Sequence, residues 1–374
     1  MASHHAAAST GAAPTSLPGP LTIALDGMGG DRAPEIVVEG AALALGRQPD
    51  LRFRLYGDEA RIAPLLAARA ELGPATSLHH TPESVASDAK PSVALRQGRN
   101  SSMRLAINAV KDGEAAAAVS AGNTGAVMAM AKFVLKTLPG IDRPAIASVM
   151  PARKKPVVIL DLGANVECTA EDLFQFAVMG EVFARVILGV AKPSVALLNV
   201  GTEELKGDDV VRGAAAMLRD THLPIQFHGF VEGTDVTEGV ADVVVTDGFT
   251  GNVALKVAEG TAAMFGAALK EAIQGGGLRG KLGYLVAKPA FQVLRDKFDP
   301  RRYNGAMFLG LNGVVVKSHG GTDAIGFAAA IGVAADLVRH GTNGRIIEEM
   351  RAAAPVPPPE APAAAAEPAR VAAP

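Results

Sequence analysis

Short apolar runs rich in β-branched residues, each followed by a glycine-rich turn and then a helical pattern, recur along the chain, and six such units are legible. Ile23 to Leu25 leads into Asp26-Gly-Met-Gly-Gly-Asp31, Ala116 to Val119 into Ser120-Ala-Gly-Asn-Thr-Gly125, and Val157 to Leu160 into Asp161-Leu-Gly-Ala-Asn165. Val195 to Leu198 leads into Asn199-Val-Gly-Thr-Glu203, Val243 to Val245 into Thr246-Asp-Gly-Phe-Thr-Gly-Asn252, and Val314 to Val316 into Lys317-Ser-His-Gly-Gly-Thr-Asp323. Strand then helix, repeated, predicts a three-layer α/β/α fold with a largely parallel sheet covered on both faces. Pro34 suits a helix start, where its missing N–H costs nothing, and Thr169-Ala-Glu-Asp172 reads as an N-cap with an acidic first turn. No fixed-period repeat is present, so the recurrence is one of topology.

The pattern fades at both ends. Met1 to Pro20 has neither an apolar h-region nor a basic cluster, so it reads as a flexible leader and not as a signal peptide or anchor. Residues 352 to 374 are mostly Ala and Pro and read as a disordered tail. Between them a single α/β catalytic domain is expected over 21 to 345.

Composition narrows the function. Lys and Arg number 36 against 38 Asp and Glu, a net charge of −2, so no basic field exists to attract nucleic acid. With 49% hydrophobic and 20% charged residues the chain can bury a large core. Its one cysteine, Cys168, allows no internal disulfide and no cysteine metal cluster, which suits a reducing, cytoplasmic setting. Gly27-Met-Gly29-Gly-Asp-Arg32 starts like a dinucleotide fingerprint but lacks its third glycine, and no P-loop, G-x-S-x-G elbow or H-E-x-x-H occurs. No cofactor and no metal are therefore expected.

In open α/β sheets ligands sit beyond the carboxyl ends of the strands, where helix N-termini present unpaired amides to anions. All six turns are predicted at such ends, lining one shared cleft. Glycine lets backbone approach a ligand, and Asn, Ser and Thr bind it without repelling negative charge, so the turns suit phosphate.

In order along the chain, Leu25-Asp-Gly-Met-Gly-Gly-Asp31, Ser120 to Gly125, Leu160-Asp-Leu-Gly-Ala-Asn-Val166, Leu198-Asn-Val-Gly-Thr-Glu-Glu204, Val245 to Asn252 and Ser318-His-Gly-Gly-Thr-Asp323 closely resemble the bacterial acyl-ACP:phosphate acyltransferases, the phosphate acyltransferase family. The likeness runs from about Thr22 to Arg339. It implies transfer of a fatty acyl group from acyl carrier protein to inorganic phosphate, giving acyl phosphate for phosphatidic acid synthesis. It also implies a fold similar to phosphotransacetylases and to isocitrate and isopropylmalate dehydrogenases, a homodimer, and peripheral association with the inner face of the membrane.

Ser120, Asn123 and Thr124, with the amides around Gly122 and Gly125, are expected to bind phosphate or the thioester carbonyl. The bland alternative for Asn123 is a helix cap. His319 is expected to protonate the leaving thiolate, with Asp323 orienting it; otherwise it is a turn histidine beside a capping Asp323. Lys206 and Lys256 are placed near phosphate, and Asp161, Asn165, Asn199, Asp247 and Asn252 line or brace the loops. An acyl-Cys168 route is disfavoured, because no histidine lies near it in sequence.

Residues 278 to 302 carry seven cations against two carboxylates. Leu278, Leu282 and Leu285, then Phe291, Leu294 and Phe298 after Pro289, predict two short amphipathic helices bent at the proline within a protruding hairpin of about 270 to 305. Leu278, Leu282, Leu285 and Phe291 are the expected membrane contacts on an anionic surface, and the cations also suit the acidic carrier protein. Two other functions remain: a metal- and nicotinamide-dependent dehydrogenase of related fold, and a non-catalytic membrane scaffold for lipid synthesis.

Overall fold

A computed structural model describes residues 19 to 353. The leader before Gly19 and the tail after Ala353 lie outside the described residues, and Ala352 and Ala353 themselves close the last helix.

Every one of the six apolar runs forms a strand and is followed by a helix. β1 (Leu21–Asp26), β4 (Ala117–Ser120) and β11 (Val314–Lys317) precede α1 (Glu35–Arg47), α5 (Thr124–Leu135) and α11 (Ala324–Arg339). β6 (Val157–Leu160), β7 (Ser194–Leu198) and β9 (Val243–Val245) precede α6 (Ala170–Ile187), α7 (Asp209–Asp220) and α9 (Gly248–Gly275). Five further strands complete the sheet: β2 (Leu51–Gly57), β3 (Thr76–His80), β5 (Ala145–Met150), β8 (Gln226–Val231) and β10 (Ala306–Leu309). The remaining helices are α2 (Glu59–Ala67), α3 (Pro91–Gln97), α4 (Ser102–Lys111), α8 (Gly233–Glu238), α10 (Gly277–Lys297) and α12 (Thr342–Ala353).

The eleven strands form one sheet in the order β3-β2-β1-β4-β11-β10-β5-β6-β9-β7-β8. The first five are mutually parallel, as are β6, β9, β7 and β8. Between these groups β10 is antiparallel to both β11 and β5, and β5 is antiparallel to β6. Three reversals leave the two groups running in opposite directions. Along β1, Ile23 and Leu25 enter one core layer and Ala24 the other, so both faces are buried, as a helix-covered parallel sheet requires. α1, α6, α7, α11 and α12 cover one face; α3, α4 and α5 cover the other.

Local signals hold where they were read. Pro34 precedes α1, and Thr169 and Asp172 form a reciprocal capping box on α6. The hairpin differs from expectation. α9 and α10 are 28 and 21 residues long, and the bend falls at Gly275 to Gly277, with Gly277 at φ +55°. Pro289 lies inside a continuous α10. A side chain at Gly280 would collide with the Ile273 carbonyl, so glycine lets the two helices close at their bend.

Candidate active site

The opposed strand directions correct the expectation of one cleft lined by six strand ends. The turns gather instead as two clusters, one at each end of the strand direction. After β1, β4 and β11, three turns interlock: the Asp31 amide donates to the Gly320 carbonyl at 3.0 Å, the Ser318 amide to Ser120 O at 2.9 Å, and Arg32 to Thr322 O at 2.6 Å. At the floor, the buried Asp26 carboxylate accepts from Ser102 Oγ at 2.6 Å and Ser120 Oγ at 2.7 Å, and Ser120 Oγ accepts from the Gly122 amide at 3.0 Å. A side chain at Gly29 would collide with the Asp26 carboxylate and stand 2.8 Å from the Gly122 amide, so only glycine lets these turns approach. Burial raises the proton affinity of Asp26 against the pull of its hydroxyl donors.

Lys317, the last residue of β11, is only 8% exposed. Its Nζ donates to the carbonyls of Ala121 and Ser318, and among the described residues it has no carboxylate at ion-pair distance. Burial pulls its pKa down to about 8, Asp26 and Asp31 pull back, and Lys256 pushes it further down. Lys256 sits about 12 Å into α9, near enough for its charge to act on Lys317. An ammonium buried with only carbonyl partners attracts an anion.

Asn304 holds the third turn in shape: its Nδ2 donates to Ser318 Oγ at 2.8 Å and Gly326 O at 2.7 Å, and its Oδ1 accepts from the His319 amide at 2.9 Å. His319 is exposed at the rim, and its Nδ1 accepts from the Gly321 amide at 3.2 Å. Asp323 does not orient it. It caps α11 by accepting from the Gly326 amide and pairs with Arg301 at 3.1 Å, which, after the cost of partial burial, holds its carboxyl low. Asn123 is likewise corrected from catalysis to capping. Its Oδ1 accepts from the Ala126 amide at the start of α5 and its Nδ2 donates to the carbonyls of Ser87 and Ala89, so no donor is free for substrate. Thr124 and Gly125 open α5 beside it, Thr124 exposed.

In the second cluster Asp161, fully buried, accepts from the amides of Ile146, Gly163, Ala164 and Asn165 and from Asn165 Nδ2, while Asn165 also donates to Pro144 O at 2.8 Å. Asp247 caps α9 through the Thr250 amide, and Asn252 lies over Gly163. Asn199 closes its own loop onto Lys206 O and the Val200 amide; Lys206 is exposed. Lys256 pairs with Glu259 at 2.7 Å. Asp161, Asn165, Asp247 and Asn199 thus brace their loops. Cys168 is half-buried, and burial, aided by Asp161 and other carboxylates, pushes its thiol up to about 12, which leaves little thiolate for an acyl-cysteine.

Asp26, Ser102, Lys317 and Asn304 were missed from sequence. The signal available was the adjacency of Lys317 to Ser318 at the end of a β-branched run; Ser102 and Asn304 carried none.

Comparison with known proteins gives the family and the fold. The family described as fatty acid synthesis protein matches residues 21 to 345. The chain is 60% identical over 330 residues to the phosphate acyltransferase of Paramagnetospirillum magneticum, covering 88% of this chain and 94% of that one. It is 62% identical over 328 residues to the phosphate acyltransferase of Rhodospirillum centenum, covering 88% and 92%. A phosphotransacetylase from Streptococcus pyogenes shares the fold at TM-score 0.56 and 19% identity, over 85% of this chain and 94% of that one.

Proposed function

The chain belongs to the fatty acid synthesis protein family of phosphate acyltransferases, and from that premise we propose that it transfers a fatty acyl group from the thioester of acyl carrier protein to inorganic phosphate, supplying acyl phosphate for phosphatidic acid synthesis. One observation carries the location: three glycine-rich turns interlock around the buried Lys317 ammonium, which has carbonyl partners but no carboxylate partner among the described residues. Phosphate is largely ionised near neutral pH, so it needs no strong base to attack a thioester. What it needs is a cation and amides to hold it, alignment with the carbonyl, and a place for the oxyanion. Lys317 and the amides around Gly122 serve the phosphate. A phosphate oxygen then attacks the carbonyl carbon, the carbon–sulfur bond breaks, and the departing thiolate takes a proton. We assign that proton to His319, whose imidazole is exposed at the rim of these turns.

Incubating the purified protein with acyl carrier protein thioester is expected to release free carrier thiol only when phosphate is added. Release at the same rate without phosphate, or none with it, would overturn the reading.

The hairpin supports a homodimer and a peripheral place on the inner face of the membrane. Phe249, Val257, Phe265, Leu278, Leu282 and Leu285 are all more than 60% exposed, far more apolar surface than a solvated hairpin needs. Phe291 is half-buried against Tyr284 at 5.6 Å. No single helix among the described residues is long and apolar enough to cross a membrane. Leu282→Asp with Leu285→Asp is expected to abolish flotation with anionic vesicles; undiminished flotation would remove the membrane role.

A further inference from the structure

A second cationic site lies at the far end of α5. A cavity of about 450 Å³ is lined chiefly by Arg104, Asn108, Lys111, Phe133, Lys136 and Asn312, with no carboxylate among its lining residues. Phe133 is 54% exposed at its mouth. The Arg104 guanidinium lies 5.2 Å and the Lys136 ammonium 5.0 Å from its ring centroid. Glu114, near in sequence, is drawn away to Arg54 at 2.7 Å.

Lys136 is the one non-glycine residue with positive φ among the described residues, at φ +62° and ψ −179°. Glycine adopts this conformation freely and lysine only under strain. It is held there by its amide, which donates to Lys132 O at 3.2 Å, and by its carbonyl, which accepts from the Asn312 amide at 3.0 Å. Burial and the neighbouring Arg99 disfavour the charge on Arg104. Crowded cations without a carboxylate and an exposed aromatic ring suit an anionic partner surface.

The patch is continuous with the active site through α5. Thr124, Met128, Ala129, Lys132 and Phe133 share one outward face of the helix, all exposed or half-buried, over about 18 Å from the Gly122 turn to Leu135. We propose that this patch docks the acidic carrier protein of the acyl donor, so that its thioester reaches the turns around Lys317 along the outer face of α5. The inference rests on the acyl transfer proposed above and differs from docking on the basic hairpin.

The test uses the full chain, with melting temperature checking that each variant is folded. Lys111→Glu with Lys136→Glu, and separately Phe133→Ser, are expected to raise KM for acyl carrier protein at least tenfold, leaving KM for phosphate and kcat at saturating donor unchanged. Fluorescence anisotropy of labelled carrier should show the same loss of binding. An unchanged carrier KM in both variants would overturn the proposal. So would a rise produced only by Arg279→Glu with Lys281→Glu on the hairpin, or variants whose only loss is binding to anionic vesicles. Absence of phosphate-dependent thiol release in the unmutated protein would instead sink the underlying reading, so the two failures are distinguishable.

Discussion

Lys317→Met is expected to lower phosphate-dependent turnover by about a hundredfold to a thousandfold, the usual cost of removing one preorganised donor to a developing charge. The melting temperature should hold or rise. The folded protein lowers the Lys317 pKa from 10.5 to about 8, so it disfavours the ammonium. The sign for a lowered basic group is a destabilisation fully present below pH 8 that fades as pH climbs toward 10.5, worth roughly 3 kcal/mol. Methionine fills the space without the charge and removes that cost, offset in part by the two carbonyls it leaves without a donor. On the proposed function the effect on turnover has the opposite sign, because there the ammonium is what holds the phosphate. In the unmutated protein kcat/KM for phosphate should therefore fall as pH rises past about 8, and the variant should lose that alkaline limb. Wild-type turnover in Lys317→Met, measured by thiol release, would show that the buried cation is structural.

Asp161→Ala is expected to cost about 3–5 kcal/mol of stability, the range for removing the acceptor from a buried charged network. Five donors at 2.7 to 3.2 Å converge on this carboxylate, and four of them are backbone amides of the Ile146 strand and the turn after β6. Without it they are buried and unpaired, and the turn that receives Gly248 at the head of α9 loses its shape. Thermal unfolding should move down by about 5–10 °C. A shift under 2 °C would mean that the turn holds itself together and that Asp161 is free for another role.

These two residues mark where the sequence was readable. The β-branched runs announced their strands and the Gly-Asp and Gly-Asn turns announced the helix starts, because both are encoded within a few neighbours. β2 and β3 were missed: Arg52 and Arg54 interrupt one, and the other is the polar edge segment Thr76–His80, so neither reads as an apolar run. β5, β8 and β10 were missed as well, and with β5 and β10 the reversal of strand direction between the two groups. That reversal is why six turns read as one ring while the fold makes two clusters. Asp161 was chosen as a loop residue and proves to be a brace. Lys317 was passed over because its importance comes from what surrounds it, and Ser102 reaches Asp26 across 76 residues of sequence. Asn123 and Asp323 cap the helices that follow their turns, because the short polar side chains that suit a phosphate loop are the same ones that cap helices.

The place of β11 in the sheet bears on how the protein is made. It lies between β4 and β10, yet it is the last strand among the described residues. A nascent chain emerging from the ribosome can lay down β1, β2, β3 and β4 early, but the flank of β4 stays without its neighbour until synthesis is nearly complete. An open strand flank on a β-branched sheet is a template for pairing with the wrong chain. Chains truncated before Val314 should therefore aggregate, as light scattering would show, and the segment that closes this flank is the same one that carries Lys317, so the turns around that buried cation and the protection from misassembly are completed in a single late step.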